Sequence, residues 1–334
     1  MSHTEYPRLI SDIGGTNARF CIEVAPYEYE NAHTLTCRDF SSLTEAVKHY
    51  LSLTNMSSKI KSAALTMPTP VVDDTILMVN SSWHTFSIRK TRHELAAIGI
   101  TSVIFINDWQ AMALSIPHIP KNELVQIGGG EANEARPKAA LGAGTGLGMA
   151  TLIKHPQTNE YLSVTAEGGR SSFAPITEEE SDLWRFVHTR HNHVSIERFL
   201  SGPGLQLTYE GLCTINGIVY DTIPTPAEIV ELGISGQDQT CKHTIEIFCS
   251  IFGTFASNFA VMVNSFGGVY IGGGIVPKML DYFINSDFRR RFEAKGRYRP
   301  FLEKMPVYVI TMKNPAFLGA SYALDTYLNK GYVP

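Results

Sequence analysis

The sequence has no Cys-x-x-Cys pair, no long basic run and no Gly-x-x-x-x-Gly-Lys-Ser/Thr motif. Its five cysteines (Cys21, Cys37, Cys213, Cys241, Cys249) are scattered and odd in number. That argues against a disulfide framework and against a thiolate zinc site. Lys and Arg total 28 against 32 Asp and Glu, a net charge of −4. Without a basic patch, nucleic acid is not an expected partner. No apolar run reaches the roughly 18 residues of a membrane span, so no membrane partner is expected either. The opening residues lack a positive segment followed by an apolar one, so no signal peptide is expected and a cytoplasmic location is the default. The missing Gly-Lys-Ser/Thr motif excludes a P-loop.

The chain is 334 residues long, 44% hydrophobic and 18% charged. That suits two domains of ordinary size with a large core. What it does have is glycine in turns. Residues 9–20 read LISDIGGTNARF. Leu9, Ile10 and Ser11 finish a buried strand, and Asp12 sits at its end. Gly14 and Gly15 make a tight turn, and residues 18–22 return antiparallel. Paired glycines leave backbone N–H groups uncovered, able to cradle phosphate oxygens. Thr16 and Asn17 add side-chain donors. A carboxylate beside a phosphate needs a cation between them, so Asp12 points to Mg²⁺. The structural alternative is a glycine hairpin with a capping Asp.

Further along, residues 1–8 read as a loose tail and 33–40 as a third strand. Residues 43–53 have helical spacing, with Ser41 or Ser42 as cap and Glu45 completing a capping box with Ser42. Residues 62–67 form a buried strand stopped by Pro68 and Pro70. A turn at Asp73 and Asp74 leads to a strand over 76–79 and a polar loop over 80–83. Residues 88–97 read as a helix. The strand 103–106 runs into Asn107 and Asp108, which open an amphipathic segment over 109–116. Carboxylates at the carboxyl end of a strand lie where open α/β sheets bind ligands. Asp108 is placed to accept a proton and Asn107 to hydrogen-bond; equally, either residue caps the helix.

Residues 117–137 form the first sustained loop and a domain crossing. Residues 138–150 then repeat the opening design, with Gly144, Thr145 and Gly146 in the turn. The chain continues as a strand over 149–153, not a helix, so this is no dinucleotide fingerprint. Two such hairpins suggest an internally duplicated fold holding the phosphates of ATP. Glu167 precedes Gly168 and Gly169. Thr177 and Glu180 read as a helix capping box. His188, His191 and His193 lack a completing carboxylate or cysteine at helical spacing, so a metal site there is not expected. Residues 195–202 read as a short helix opened by Ser195, ended by Gly202 and carrying Glu197. The stripe Phe248, Phe252, Phe255, Phe259 and Met262 in a helix over 240–263 reads as core. Gly272, Gly273 and Gly274 follow a strand and leave bare backbone for a flat purine and its ribose. The arginine-rich stretch 288–299 reads as a solvated face, 305–312 as a strand and 317–328 as a closing helix.

The stretches Asp12-Ile13-Gly14-Gly15-Thr16-Asn17-Ala18-Arg19, Ile106-Asn107-Asp108, residues 142–148, Glu167-Gly168-Gly169, residues 197–204 and residues 272–277 occur in a telling order. In that order the chain resembles the bacterial ATP-dependent glucokinases, within the superfamily of actin, sugar kinases and heat-shock chaperone ATPases. The resemblance runs from Leu9 to about Leu328. It implies a two-domain, actin-like (ribonuclease H-like) fold around an interdomain cleft. The small domain would hold 1–117 plus about 315–334, and the large domain 118–314. It also implies a cytosolic, often homodimeric kinase that phosphorylates the C6 hydroxyl of glucose from ATP and Mg²⁺. By matching position, Ser11, Asp12, Ile13, Gly14, Gly15, Thr16 and Asn17 belong to the first phosphate loop, with Asp12 reaching Mg²⁺ through water. Gly144, Thr145 and Gly146 belong to the second, and Gly272, Gly273 and Gly274 to the adenosine loop. Asn107, Asp108, Glu167, Arg170 and Glu197 fall at sugar-binding positions, with Asp108 also the base.

One position departs from the pattern. Where the family carries Glu-x-Gly-His, with the histidine touching sugar hydroxyls, this chain has Arg170. Neutral histidine donates or accepts; arginine only donates and stays charged. Arg170 is expected to pair with Glu167, diverting it from the sugar and altering sugar choice. The alternatives are a kinase for mannose or an amino sugar, and a non-catalytic sugar sensor. Related regulators carry an N-terminal helix-turn-helix, and the first strand here begins at Leu9; the retained Asp108 favours a kinase.

Overall fold

Each glycine hairpin lies in a sheet of its own. The computed structural model describes residues 5–78 and 81–334. Residues 1–4 of the expected tail, the end of the strand expected over 76–79 and the start of the loop expected over 80–83 lie outside the described residues. The chain divides into two compact units, one of residues 1–120, 159–165 and 312–334, the other of 121–158 and 166–311.

In the first unit the strands are β1 (Arg8–Ile13), β2 (Asn17–Ala25), β3 (Glu28–Thr36), β4 (Ser62–Met67), β5 (Thr75–Leu77), β6 (Thr85–Ser87) and β7 (Ser102–Asn107). The main sheet runs β3-β2-β1-β4-β7. β1 and β2 are antiparallel, while β1, β4 and β7 are parallel. All six residues of β4 are buried, as befits a parallel strand covered on both faces. Helices Leu43–Leu53, Ile88–Ala96, Asp108–Ser115 and Ala316–Lys330 complete the unit.

Two features bind the late helix Ala316–Lys330 to the early part of the unit. Arg8 is fully buried. Its Nε and Nη2 donate to Glu23 Oε2 at 2.9 and 2.5 Å, and its Nη1 donates to Asp325 Oδ1 at 2.5 Å. Gly319 lets helix Ala316–Lys330 lie directly on helix Asp108–Ser115. A Cβ there would stand 1.7 Å from the Ala111 carbonyl oxygen. Gly319→Ala is therefore expected to destabilise the protein by about 1–3 kcal/mol or more, because backbone must move. A thermal melt that matches wild type would contradict this packing.

The second unit holds β8 (Leu124–Gln126), β9 (Lys138–Ala143) and β10 (Leu147–Lys154). The chain passes through β11 (Tyr161–Ala166), nearly all of it assigned to the first unit, and returns for β12 (Val269–Gly272) and β13 (Val307–Ile310). The strand order β10-β9-β12-β13 repeats β2-β1-β4-β7. Each is an antiparallel hairpin followed by two parallel neighbours, which is the duplication the two glycine hairpins suggest. Helix Gln239–Val263 has an 18-residue window of mean hydropathy 1.5, yet 67% of that window is buried inside the protein. It is long and apolar enough to span a bilayer by composition, and it serves as core.

Several local expectations are corrected. The third strand is Glu28–Thr36, not 33–40, and residues 37–39 form a 3-10 turn. This is an edge strand with mostly exposed residues, so it shows no apolar alternation to read. Ser42 caps its helix, but the Glu45 side chain accepts from Lys48 at 2.9 Å instead of closing a box. Glu180 reaches past Thr177 to the Ile176 N–H at 2.8 Å and also accepts from Arg291 at 2.6 Å. Gly202 opens a helix, Gly202–Asn216, with Ser201 as its cap, where Pro203 suits the first turn. In the arginine-rich stretch, Arg291 is buried against Glu180, and Arg289 donates to the carbonyls of Leu302 and Met305. Met262, expected in the core stripe, is 80% exposed, whereas its four phenylalanines are buried.

Candidate active site

In the first unit, Gly14 N–H donates to the Asn17 carbonyl at 2.8 Å and closes the hairpin. A Cβ on Gly14 would press to 3.3 Å on that oxygen. The Cys37 N–H holds the Thr16 carbonyl at 2.8 Å. Thr16 is exposed; Gly14, Gly15 and Asn17 are half-buried. Ser11 and Ile13 serve the sheet. The Ser11 hydroxyl donates to Ala64 O at 3.4 Å, and Ile13 N–H donates to Thr66 Oγ1 at 3.2 Å. Asp12 lies opposite Arg19 across the hairpin, and Arg19 Nη1 donates to its carboxylate at 2.9 Å.

Asn107 ends β7 and caps the next helix. Its Oδ1 accepts from Trp109 N–H at 2.9 Å and Gln110 N–H at 3.3 Å, and its Nδ2 donates to Met67 O at 3.4 Å. Asp108 opens the helix, half-buried, with Oδ1 accepting from Trp109 N–H at 2.8 Å. The register places Asp12 beside Thr66 and Met67 beside Asn107. The glycine turn and Asp108 therefore leave the same end of one sheet, two strands apart, or roughly 10 Å by strand spacing.

The second unit builds a similar end. Gly144 N–H donates to Gly146 O at 2.8 Å, and Thr145 stands exposed at the tip. Gly272 pairs with Gly142, and the N–H groups of Gly274 and Ile275 both donate to Ala143 O, at 3.1 and 3.2 Å. Gly273 has φ +86°, and a Cβ there would strike that same oxygen at 2.5 Å. A Cβ on exposed Gly274 would meet nothing within 4 Å. The structure thus brings Gly144–Gly146 and 272–274 side by side, with bare backbone outward.

Glu197 joins this end. Its Oε2 accepts from Leu147 N–H at 2.9 Å, and a Cβ on Gly146 would crowd that oxygen at 2.8 Å. Its Oε1 accepts from Arg170 Nη1 at 2.6 Å. This corrects the expected partner of Arg170: the cation meets Glu197, not Glu167. The reason is local. Glu167 precedes and Arg170 ends a 3-10 turn closed by Arg170 N–H on Glu167 O at 2.9 Å. The bridge between Ser172 and Ser195 then lays this turn alongside Glu197, and Glu167 is left exposed. Sequence reasoning missed Arg19, which counting back across the hairpin from Asp12 would have found. It also missed the Leu147 N–H, for which no sequence signal exists.

For Mg²⁺, the described residues hold no group of three or more His, Cys, Asp or Glu able to cage a metal. Asp12 offers one partly exposed carboxylate at the phosphate turn. That fits Mg²⁺, which keeps several waters and takes one or two carboxylates together with substrate phosphates.

A duplicated α/β sheet pair with glycine turns at the strand ends, and a carboxylate opening a helix at one such end, is the design of actin-like sugar kinases. The family model described as Glucokinase matches residues 9–327. A curated glucokinase of Neisseria meningitidis is 42% identical over 323 residues, covering 97% of this chain and 96% of its own length. One of Helicobacter pylori is 43% identical over 336 residues, covering 98% of each. The crystal structure of a glucokinase from an Antarctic psychrotroph superposes with a TM-score of 0.81 at 31% identity, over 96% of this chain and 99% of that one. The chain belongs to the glucokinase family, ATP-dependent hexose kinases.

Proposed function

We propose that the protein transfers the γ-phosphoryl group of Mg²⁺-ATP to the C6 hydroxyl of D-glucose in the cytoplasm, with Asp108 as general base. The observation that supports this most is Asp108 itself. It is a half-buried carboxylate, fixed by Trp109 N–H, at the sheet end that also carries the first glycine turn. This bond orients the carboxylate. Asp108 takes the C6 hydroxyl proton as the oxygen attacks phosphorus. Glu167 and Glu197 accept hydrogen bonds from other sugar hydroxyls and hold the reacting oxygen in line. Asn107 contributes mainly by setting the start of the Asp108 helix. The turns at Gly14–Thr16 and Gly144–Gly146 offer N–H groups to phosphate oxygens, and 272–274 offers a bare surface to adenosine. Asp12 would hold Mg²⁺, which would supply neutralisation of the phosphate charge. A loose phosphoryl-transfer transition state needs alignment and charge compensation more than covalent help.

The family membership supports glucose as the sugar, and the bond from Arg170 to Glu197 supports a second reading in which sugar choice differs. A coupled ADP-release assay over glucose, mannose, fructose, glucosamine and N-acetylglucosamine decides between them. Glucose is expected to give the highest kcat/KM. A better turnover of mannose or an amino sugar would replace the glucose assignment, and no turnover of any sugar would point to a sensor.

A further inference from the structure

Sharing only Arg170 with the positions assigned to the sugar, the second unit carries a cup of about 360 Å³ whose lining includes Arg170, Arg190, His191, His193, Ser195 and Arg198. No carboxylate lines it. Two of its three guanidinium groups are neutralised from behind. Arg190 donates to both oxygens of Glu210, at 2.5 and 2.9 Å, and Arg170 donates to Glu197. Among the described residues no carboxylate pairs with Arg198. His193 is fixed by the Arg170 carbonyl at 2.8 Å. The His191 imidazole is held below its ordinary range, by desolvation first and then by the charges of Arg198 and Arg190. The cationic field of the cup thus converges on this ring. Arginine forks suit phosphate oxygens, two N–H groups to each group of oxygens.

We propose that this cup binds a small phosphate anion, inorganic phosphate or a phosphate monoester, and that occupancy tunes the sugar site through Arg170. The anion and Glu197 compete for one guanidinium. When the anion draws Arg170 toward the cup, Glu197 keeps its bond to Leu147 N–H and regains an oxygen for a sugar hydroxyl. This coupling rests on the proposed sugar-binding role of Glu197; the anion site itself does not. Because the Arg170 side of the pair is largely solvent-exposed, the effect on sugar KM is modest, up to about fivefold.

The test uses the whole protein in phosphate-free buffer at fixed ionic strength. Inorganic phosphate and glycerol 3-phosphate are titrated separately by calorimetry, with chloride as control. Saturable 1:1 binding is expected for at least one, and the two arms tell a free anion from a phosphate monoester. Arg198→Gln and Arg190→Gln are each expected to weaken that binding at least tenfold, and Arg198→Lys to restore part of it. At saturating ATP, the bound anion is expected to lower the KM for glucose in wild type and to leave it unchanged in Arg198→Gln. Binding to the nucleotide turns would instead raise the KM for ATP and survive both variants. The proposal is overturned by no saturable binding, by binding that both variants retain, or by binding that leaves the glucose KM unmoved. The binding arms need no catalysis, so their failure is distinct from failure of the kinase assignment.

Discussion

Asp108→Asn is expected to lower kcat for glucose phosphorylation by about 10²–10⁴-fold, the usual contribution of a general base. Asparagine keeps the shape and an acceptor oxygen for the Trp109 N–H, which Asp108 now satisfies at 2.8 Å. What it loses is the capacity to take a proton. The helix start should survive, because Asn107 is the cap and is untouched. ATP affinity and the melting temperature should therefore stay near wild type while turnover collapses. Steady-state kinetics and a thermal melt on the same preparation check both halves. A kcat within tenfold of wild type, with the fold intact, would remove Asp108 from the role of base.

Arg8→Met is expected to destabilise the first unit by about 3–5 kcal/mol, the usual cost of stranding a buried charge. The side chains of Arg8 and Glu23 are both fully buried, and Asp325 shares the guanidinium. Even with Arg8 present, burial pushes the Glu23 carboxyl above its ordinary range. Without Arg8 the buried carboxyl would hold its proton more strongly. The unfolded chain releases that proton above about pH 4.5, so the variant should lose further stability as pH rises beyond that value. Urea unfolding at pH 5 and pH 8 measures both effects. Adding Glu23→Gln should recover part of the loss, since it removes the stranded charge. A single variant as stable as wild type would mean the network contributes little.

Much of the local geometry of the candidate site was legible because its signals are local. Gly14, Gly15, Gly144 and Gly273 announce tight turns by composition alone. Residues 62–67 and 103–106 are apolar runs, the first stopped by Pro68 and the second running into Asn107 and Asp108, which mark the ends of their strands. Arg170 was legible as a departure but not in its consequence. Its partner depends on the Ser172–Ser195 bridge, a contact between segments that nothing in either segment announces. Arg291 and Glu180 show the same limit: 111 residues apart and buried together, they read in sequence as a solvated cation and a cap. Glu28–Thr36 escaped because an exposed edge strand buries too little to impose a pattern. Gly319 escaped too, since a glycine in a helix says nothing of which backbone it must admit.

The helix Ala316–Lys330 bears on the order of events at the ribosome. Asp325 and Gly319 are made last, yet they complete a unit whose strands β1 to β7 are made first. Between them the ribosome must add the roughly 190 residues from 121 to 311, which takes about 10–40 s at ordinary synthesis rates. During that interval Arg8 and Glu23 have no Asp325, and helix Asp108–Ser115 has an uncovered face. The second unit, by contrast, can close as soon as β13 emerges. For this chain the usual vectorial order is reversed: the half begun first is finished last, and its nascent form is the one that needs shielding from its neighbours.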